Sequence, residues 1–277
     1  MRKARRALQT LAAVVVKEMK ITSRYIGFLV MMASLPFMFS GMMMGIGYAI
    51  AGPSAPRNFA SNTGVEDPLL YTVLGGVLMI GCMVLIENTS GIIREEQMMG
   101  TFELHYLTPN STILLWLFHS LSSALITLGV MAVNVIAVLA LRTSLPSPVD
   151  WLIAAGITLL GLLPLAGLGL VVAALTVRFK EVWAVASSVN AFVAMLSGFY
   201  YPLEVFPIAV RLASQFLPTS HAAQLLRSLF TGTASSLNLW ERLAVMFALG
   251  LAYLAVGRAF YLRWEYAAKK RGELSKY

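Results

Sequence analysis

The sequence predicts an all-α membrane protein with six transmembrane helices. Three observations carry that fold class. Mean hydropathy is +0.75 with 58% hydrophobic residues. The apolar residues fall in long charge-free runs, and most lysines and arginines lie on one side of those runs. No charged side chain occurs from Tyr25 to Pro56, Leu104 to Leu141, Trp151 to Val177 or Val182 to Leu203. Each run reaches the ~20 residues that a helix needs to cross a ~30 Å hydrocarbon core. A soluble domain is excluded.

The first element, residues 1–24, does not span. Leu8, Leu11, Ala12, Val15 and Met19 recur at helical spacing, with Arg5, Arg6, Lys17, Lys20 and Arg24 available to face headgroups. That pattern reads as an amphipathic helix lying in the interface. Lys17, Glu18 and Lys20 interrupt the apolar patch, so it is not read as a cleavable signal. Spans are expected near residues 25–50, 69–93, 112–141, 151–177, 182–202 and 240–262, with Glu87 and Arg258 as charged exceptions. Pro36 and Pro164 should kink spans 1 and 4. Gly41 with Gly45, and Gly167 with Gly169, have the small-residue spacing that lets helix backbones approach. The 51–68 and 142–150 connections read as short loops.

Residues 203–239 are too apolar for a free loop and too broken by Pro207 and Pro218 for a span. Two short re-entrant helices fit them, because irregular backbone at membrane depth is tolerated where it lines protein or water. Sixteen of the 21 lysines and arginines fall in the N-terminal arm, the 94–111 and 178–181 loops and the C-terminal tail, Arg258 near the inner end of the last span counted with the tail. The positive-inside rule then places both termini in the cytoplasm. With no repeat or linker, residues 1–277 read as one transmembrane domain.

Several chemistries are disfavoured. The segment GVLMIGCM, residues 76–83, has phosphate-loop glycine spacing but puts Cys82 and Met83 where Lys and Ser/Thr must stand. It reads as helix packing, and no catalytic or metal site is expected. His105, His119 and His221 are assigned to a loop, an inner span and the outer face, so they cannot share a metal. His119 reads as an interhelical hydrogen-bonding histidine. Glu87 is the single carboxylate in the interior of a span, Glu241 lying at the edge of the last one. It reads as a bundle-facing acid reached by water or paired with a basic side chain, with a gate or proton site as the functional alternative. The net charge of +8 reports topology and anionic lipid headgroups, not nucleic acid.

Between spans 2 and 3 stands REEQMMGTFELHYLTPN, residues 94–110. Thr101 can cap a short helix, Pro109 disfavours helix at Thr108, and Phe102 and Tyr106 share a face at i, i+4. An apolar-aromatic ridge with charged flanks suits a peg into a partner's groove. This stretch resembles the cytoplasmic loop of ATP-binding cassette exporter permeases of the type-2 class, through Gly100, Thr101, Phe102, Glu103, Leu104, Leu107, Thr108 and Pro109. A second block, SGFYYPLEVFPIAVRLASQFLPTSH, is similar to the same family's segment before the last span, through Ser197, Gly198, Pro202, Pro207, Pro218 and His221. His105 and Tyr106 depart from the leucine-rich pair usual there.

The resemblance implies a half-transporter in the cell membrane. A second permease, identical or homologous, and two copies of a cassette ATPase would complete it. ATP and Mg would be bound by the ATPase, with no cofactor in this chain. Residues 94–110 would form the cytoplasmic coupling helix, with Glu96, Gly100, Thr101, Phe102, Glu103, Leu104, Tyr106, Leu107 and Pro109 as its docking residues. Ser197, Gly198, Pro202, Pro207, Pro218 and His221 would shape the outer gate, with Glu87 and His119 as the intramembrane polar residues. The short outer loops offer no dock for a binding protein, which argues for export. Spans 1, 2 and 5, nearly free of charge, favour an amphipathic or lipidic substrate such as a drug, lipid or glycolipid. The alternative is an ion-coupled secondary transporter with Glu87 as its coupling site.

Overall fold

In the computed structural model, residues 2–100, 104, 107, 111–140, 146–179, 182–232 and 239–271 of the chain are described. Those residues hold helices, turns and no strand. In chain order come α1 (Arg2–Arg24), α2 (Ile26–Ala51), α3 (Ala55–Thr63) and α4 (Pro68–Met98). They are followed by α5 (Thr112–Leu139), α6 (Pro148–Leu162), α7 (Leu165–Phe179) and α8 (Val182–Ser197). The series closes with α9 (Ile208–Ser214), α10 (Pro218–Thr231) and α11 (Leu239–Arg271).

Helix α4 is the centre of the bundle. It is apolar on every side, as a helix enclosed by others must be, and Leu70, Val73, Leu74, Val77, Leu78, Leu85 and Ile86 are all buried. It packs against α2, α5, α7, α8 and α10. Asp67 sets its start: the carboxylate accepts from the Leu69 and Leu70 amides at 3.0 and 3.1 Å, satisfying donors that the first turn leaves open. Its glycines are packing positions. A Cβ on Gly76 would lie 3.1 Å from the Pro36 backbone, and one on Gly81 would lie 2.7 Å from Thr127. The phosphate-loop-like segment is therefore a stretch of buried helix.

Glycine also sets the closest crossing. A Cβ on Gly167 of α7 would overlap the Tyr253 carbonyl of α11, and one on Gly257 would overlap Gly167 itself. On the opposite face of α7, Gly169 leaves only 2.5 Å to Thr89 of α4. This is the close approach expected of Gly167 and Gly169. The same expectation fails for Gly41 and Gly45, where an added Cβ would meet nothing within 4 Å. That stretch of α2 points away from the bundle, with Met31, Met38, Met42 and Met44 exposed. Only Met32, Pro36 and Ser40 of α2 are buried.

Five helical stretches among the described residues are long and apolar enough to cross a membrane: Ile26–Thr63, Pro68–Glu96, Thr112–Leu139, Pro148–Leu175 and Leu239–Ala267. The fifth span expected over 182–202 is shorter. Helix α8 has 16 residues, about 24 Å at 1.5 Å per residue, and ends at Ser197 because Gly198 turns the chain at φ +65°. As expected from Pro164, the fourth stretch is interrupted, at Leu163–Pro164 between α6 and α7. The 51–68 connection is a correction. It forms a turn of 3-10 helix and then α3, which begins at Ala55–Pro56 and stops at Gly64 with φ +69°. Phe59 of α3 sets its ring edge-on to Tyr71 at 5.1 Å. Proline at the start and glycine just past the end is the expected helix punctuation.

Candidate functional site

Three polar places in an apolar molecule define what it can do: the end of α4 at Gly100, the opposite end at Gly198, and the polar line between them.

At the first end α4 runs past the charged residues Arg94, Glu95 and Glu96 and stops at Gly100, whose φ of +69° only glycine adopts without strain. Glu96 is half-buried. Apolar side chains stand open around this turn: Met98 is 77% exposed, Met99 73%, Leu104 55% and Leu107 81%. Thr101, Phe102, Glu103, Tyr106 and Pro109 lie outside the described residues.

Helix α1 is held beside this end by His119 of α5, whose Nδ1 lies 3.2 Å from the Glu18 carboxylate. Lys17 lies 3.3 Å from the same oxygen. The hydrogen bond from His119 holds the Glu18 carboxyl below its ordinary value of 4.5, against the opposing effect of burial. A lowered acid contributes stability that is complete above its unfolded pKa and is lost as pH falls through the folded value. The native chain should therefore melt at a lower temperature at pH 4 than at pH 7, and Glu18→Gln should shrink that difference. An unchanged difference in Tm would exclude this contact as the cause.

Along the interior, Thr89 of α4 and Ser120 of α5 share a hydrogen bond of 2.8 Å, and the Asn88 amide donates to Ser123 at 3.2 Å. The Trp116 indole donates to the Tyr261 hydroxyl of α11 at 3.2 Å. Such bonds stand in for water where none is present. Glu87 is half-buried and accepts from the Asn190 amide of α8 at 3.1 Å. Its partner is thus a neutral amide, not a base.

At the second end the residues before the last long helix converge. Ser197 and Thr219 share a hydroxyl bond of 2.6 Å. Pro202 precedes a 3-10 turn, Pro207 precedes α9, and Pro218 opens α10. His221 donates through Nε2 to the Gln215 carbonyl at 3.0 Å, and burial pushes its pKa below the usual imidazole range. Sequence reasoning missed the anchor of this end, Arg227. Its guanidinium is buried and donates to the carbonyls of Gly198, at 3.0 Å, and Phe199. It also donates to Tyr71 at 3.4 Å and lies 3.5 Å above the Tyr71 ring centroid. Those carbonyls close the C-terminus of α8, where a cation is favoured. The available signal was a lone arginine in the apolar run AAQLLRSLF.

A helical bundle of this hydropathy, with several long apolar helices, is a multi-pass membrane protein. The family model described as ABC-2 family transporter protein matches residues 53–258, about three quarters of the chain. The chain belongs to that family: it is an ABC transporter permease, a membrane component of such a transporter. Membership implies an ABC ATPase partner and, typically, a second permease. No curated protein matches the chain.

Proposed function

We propose that the chain is one of two permeases of a cell-membrane exporter driven by two copies of a separate cassette ATPase. The observation that carries the partner is the exposed apolar turn at Gly100, with Met98, Met99, Leu104 and Leu107 open beside a charged helix end. Water-facing apolar patches of this kind mark docking surfaces. In this reading both termini are cytoplasmic, six spans include the short α8, and residues 94–110 are the coupling helix. Gly100, Thr101, Phe102, Glu103, Leu104, Tyr106, Leu107 and Pro109 enter the ATPase groove, with Glu96 at its rim.

ATP and Mg act on the partner chain. Closure of the ATPase dimer moves the coupling helix and α1, and the paired bundles alternate between inward-open and outward-open states. Ser197, Gly198, Pro202, Pro207, Pro218 and His221 form the outer gate. The exposed, methionine-bearing face of α2 suits the second permease or a pathway for an amphipathic or lipidic substrate, since methionine adapts to varied apolar surfaces. The test is co-reconstitution of the chain with the cassette ATPase, reading substrate-dependent ATPase stimulation and ATP-dependent transport.

The ion-coupled alternative rests on Glu87 and is separated by the same preparation. Glu87→Gln can still accept from Asn190, so ATP-driven transport should stay within about twofold of native. Loss of transport in that variant, or transport that follows an imposed proton or sodium gradient without ATPase, would establish the alternative.

A further inference from the structure

Asn190 of α8 is only 5% exposed, and half of its side-chain amide is unsatisfied. The nitrogen donates to one carboxyl oxygen of Glu87 at 3.1 Å, whereas Oδ1 is buried without a hydrogen-bond partner among the described residues. The Glu87 carboxyl makes no other hydrogen bond or ion pair among those residues. Nearby donors are engaged elsewhere. The Thr89 hydroxyl pairs with Ser120, that of Ser90 donates to the Glu87 main-chain carbonyl, and that of Ser187 donates to the Ala184 carbonyl. A buried acceptor left open bears its whole desolvation cost.

No base is paired with Glu87 among the described residues. Of the helices packed on α4, α2 and α8 carry no acid, base or histidine, and α5 carries only His119, whose Nδ1 is engaged by Glu18. Helix α7 has Arg178 in its last turn, while Arg57 of α3, Asp150 of α6 and His221 and Arg227 of α10 belong to the opposite end of the bundle. On α4 itself the nearest charge is Arg94, seven residues on, or roughly 10 Å along the axis. An ionised Glu87 is acceptor-only and offers Asn190 Oδ1 nothing, whereas a protonated one has an O–H donor and keeps an acceptor. A carboxylic acid and a primary amide each present one donor and one acceptor on the same edge, so a single proton completes both. In hydrocarbon a lone charge is not hydrated, and an acid there is kept neutral instead.

We propose that Glu87 and Asn190 form a proton-binding site between α4 and α8. One proton stays on the second carboxyl oxygen of Glu87 and is donated to Asn190 Oδ1, while Asn190 Nδ2 donates to the first. The pair ties the short α8 to the central helix through two neutral hydrogen bonds and places no net charge in the bilayer. Its proton is resident and is not exchanged in each cycle, which separates the site from an ion-coupling one. The inference needs only the membrane placement of the chain and not its transport cycle.

The test is the infrared difference between the native full chain and Glu87→Gln, each in phosphatidylcholine vesicles at neutral pH. The substitution should remove one protonated-carboxyl carbonyl band and leave the carboxylate bands unchanged. In Asn190→Leu the same band should persist but move to the position of a carboxyl without an amide partner. Asn190→Ala serves for that shift should the leucine variant not be monodisperse, and the first comparison depends on neither. Glutamine at position 87 presents the same donor and acceptor, so Glu87→Gln should melt like the native chain, whereas Glu87→Leu should melt lower. Loss of carboxylate bands in Glu87→Gln would show an ionised acid held by water or a cation, and would overturn the inference. An acid band indifferent to both Asn190 variants would place the proton outside the pair and overturn it as well. So would a Glu87→Gln chain that melts as low as Glu87→Leu.

Discussion

Gly75→Val is expected to yield no folded permease. A Cβ at Gly75 would overlap the Phe199 carbonyl oxygen and lie 2.6 Å from its carbon and 2.8 Å from the Arg227 guanidinium. The two nearest obstructing atoms are backbone, which cannot swing aside as a flexible side chain would. Overpacking a core costs about 1–3 kcal/mol and sometimes more, and here the displaced carbonyl also accepts from Arg227. A fully buried arginine that loses its carbonyls loses the bonds that offset its desolvation, each worth about 1.5–3 kcal/mol for a charged donor. Those losses together approach the whole stability of an ordinary domain. Size-exclusion profile and Tm after detergent extraction read the outcome, with Gly41→Val as control because its Cβ meets open space. A monodisperse Gly75→Val protein melting like the control would show that the end of α8 is not clamped this way.

Replacing Leu104 and Leu107 together with aspartate is expected to abolish ATPase stimulation while leaving the permease folded. Both side chains are largely exposed, at 55% and 81%, so neither substitution opens a cavity in the bundle. In a docked complex the same residues would be enclosed, and truncating an enclosed anchor costs about 2 kcal/mol or more. Two buried carboxylates without partners add to that. Affinity for the ATPase should fall on the order of a hundredfold or more, since every 1.4 kcal/mol is tenfold. Pull-down of the ATPase and substrate-dependent ATP hydrolysis measure the effect. Normal stimulation in the double variant would remove the coupling role from this element.

Much of the architecture was legible because a membrane leaves few choices. Charge-free runs must be helices when no water is present to satisfy the backbone: α2, α5 and the pair α6 and α7 stand where those runs predict, and α4 and α11 stand where the two apolar runs that carry charged exceptions predict. Local punctuation was there to be read as well. Ser147, Pro148 and Asp150 form a capping box, with the Asp150 amide 3.2 Å from Ser147 and the Asp150 carboxylate 2.8 Å from the Ser147 amide, so α6 starts before Trp151. Pro56 and Gly64 likewise bracket α3, although the segment reads as a plain loop if hydropathy alone is followed.

Other features were decided by neighbours. Gly41–Gly45 and Gly167–Gly169 look alike as sequence, yet one faces open space and the other touches backbone. Glycine spacing states that a helix can be approached, not by what. Glu87 carries the same ambiguity: a lone intramembrane acid announces that it needs a partner, and only the approach of α8 supplies the amide of Asn190. Arg227, counted along the chain, is one outward charge among five. Folded, it joins α4, α8 and α10 through three carbonyls and a ring. The sequence by itself determined that this chain lives in a membrane and where its long apolar helices run. Tertiary structure decided which glycines admit a backbone, which charge is buried and which acid meets which amide. The physical reason is range: hydropathy and helix propensity act within a segment, whereas a buried polar group is satisfied only across a contact that the fold creates.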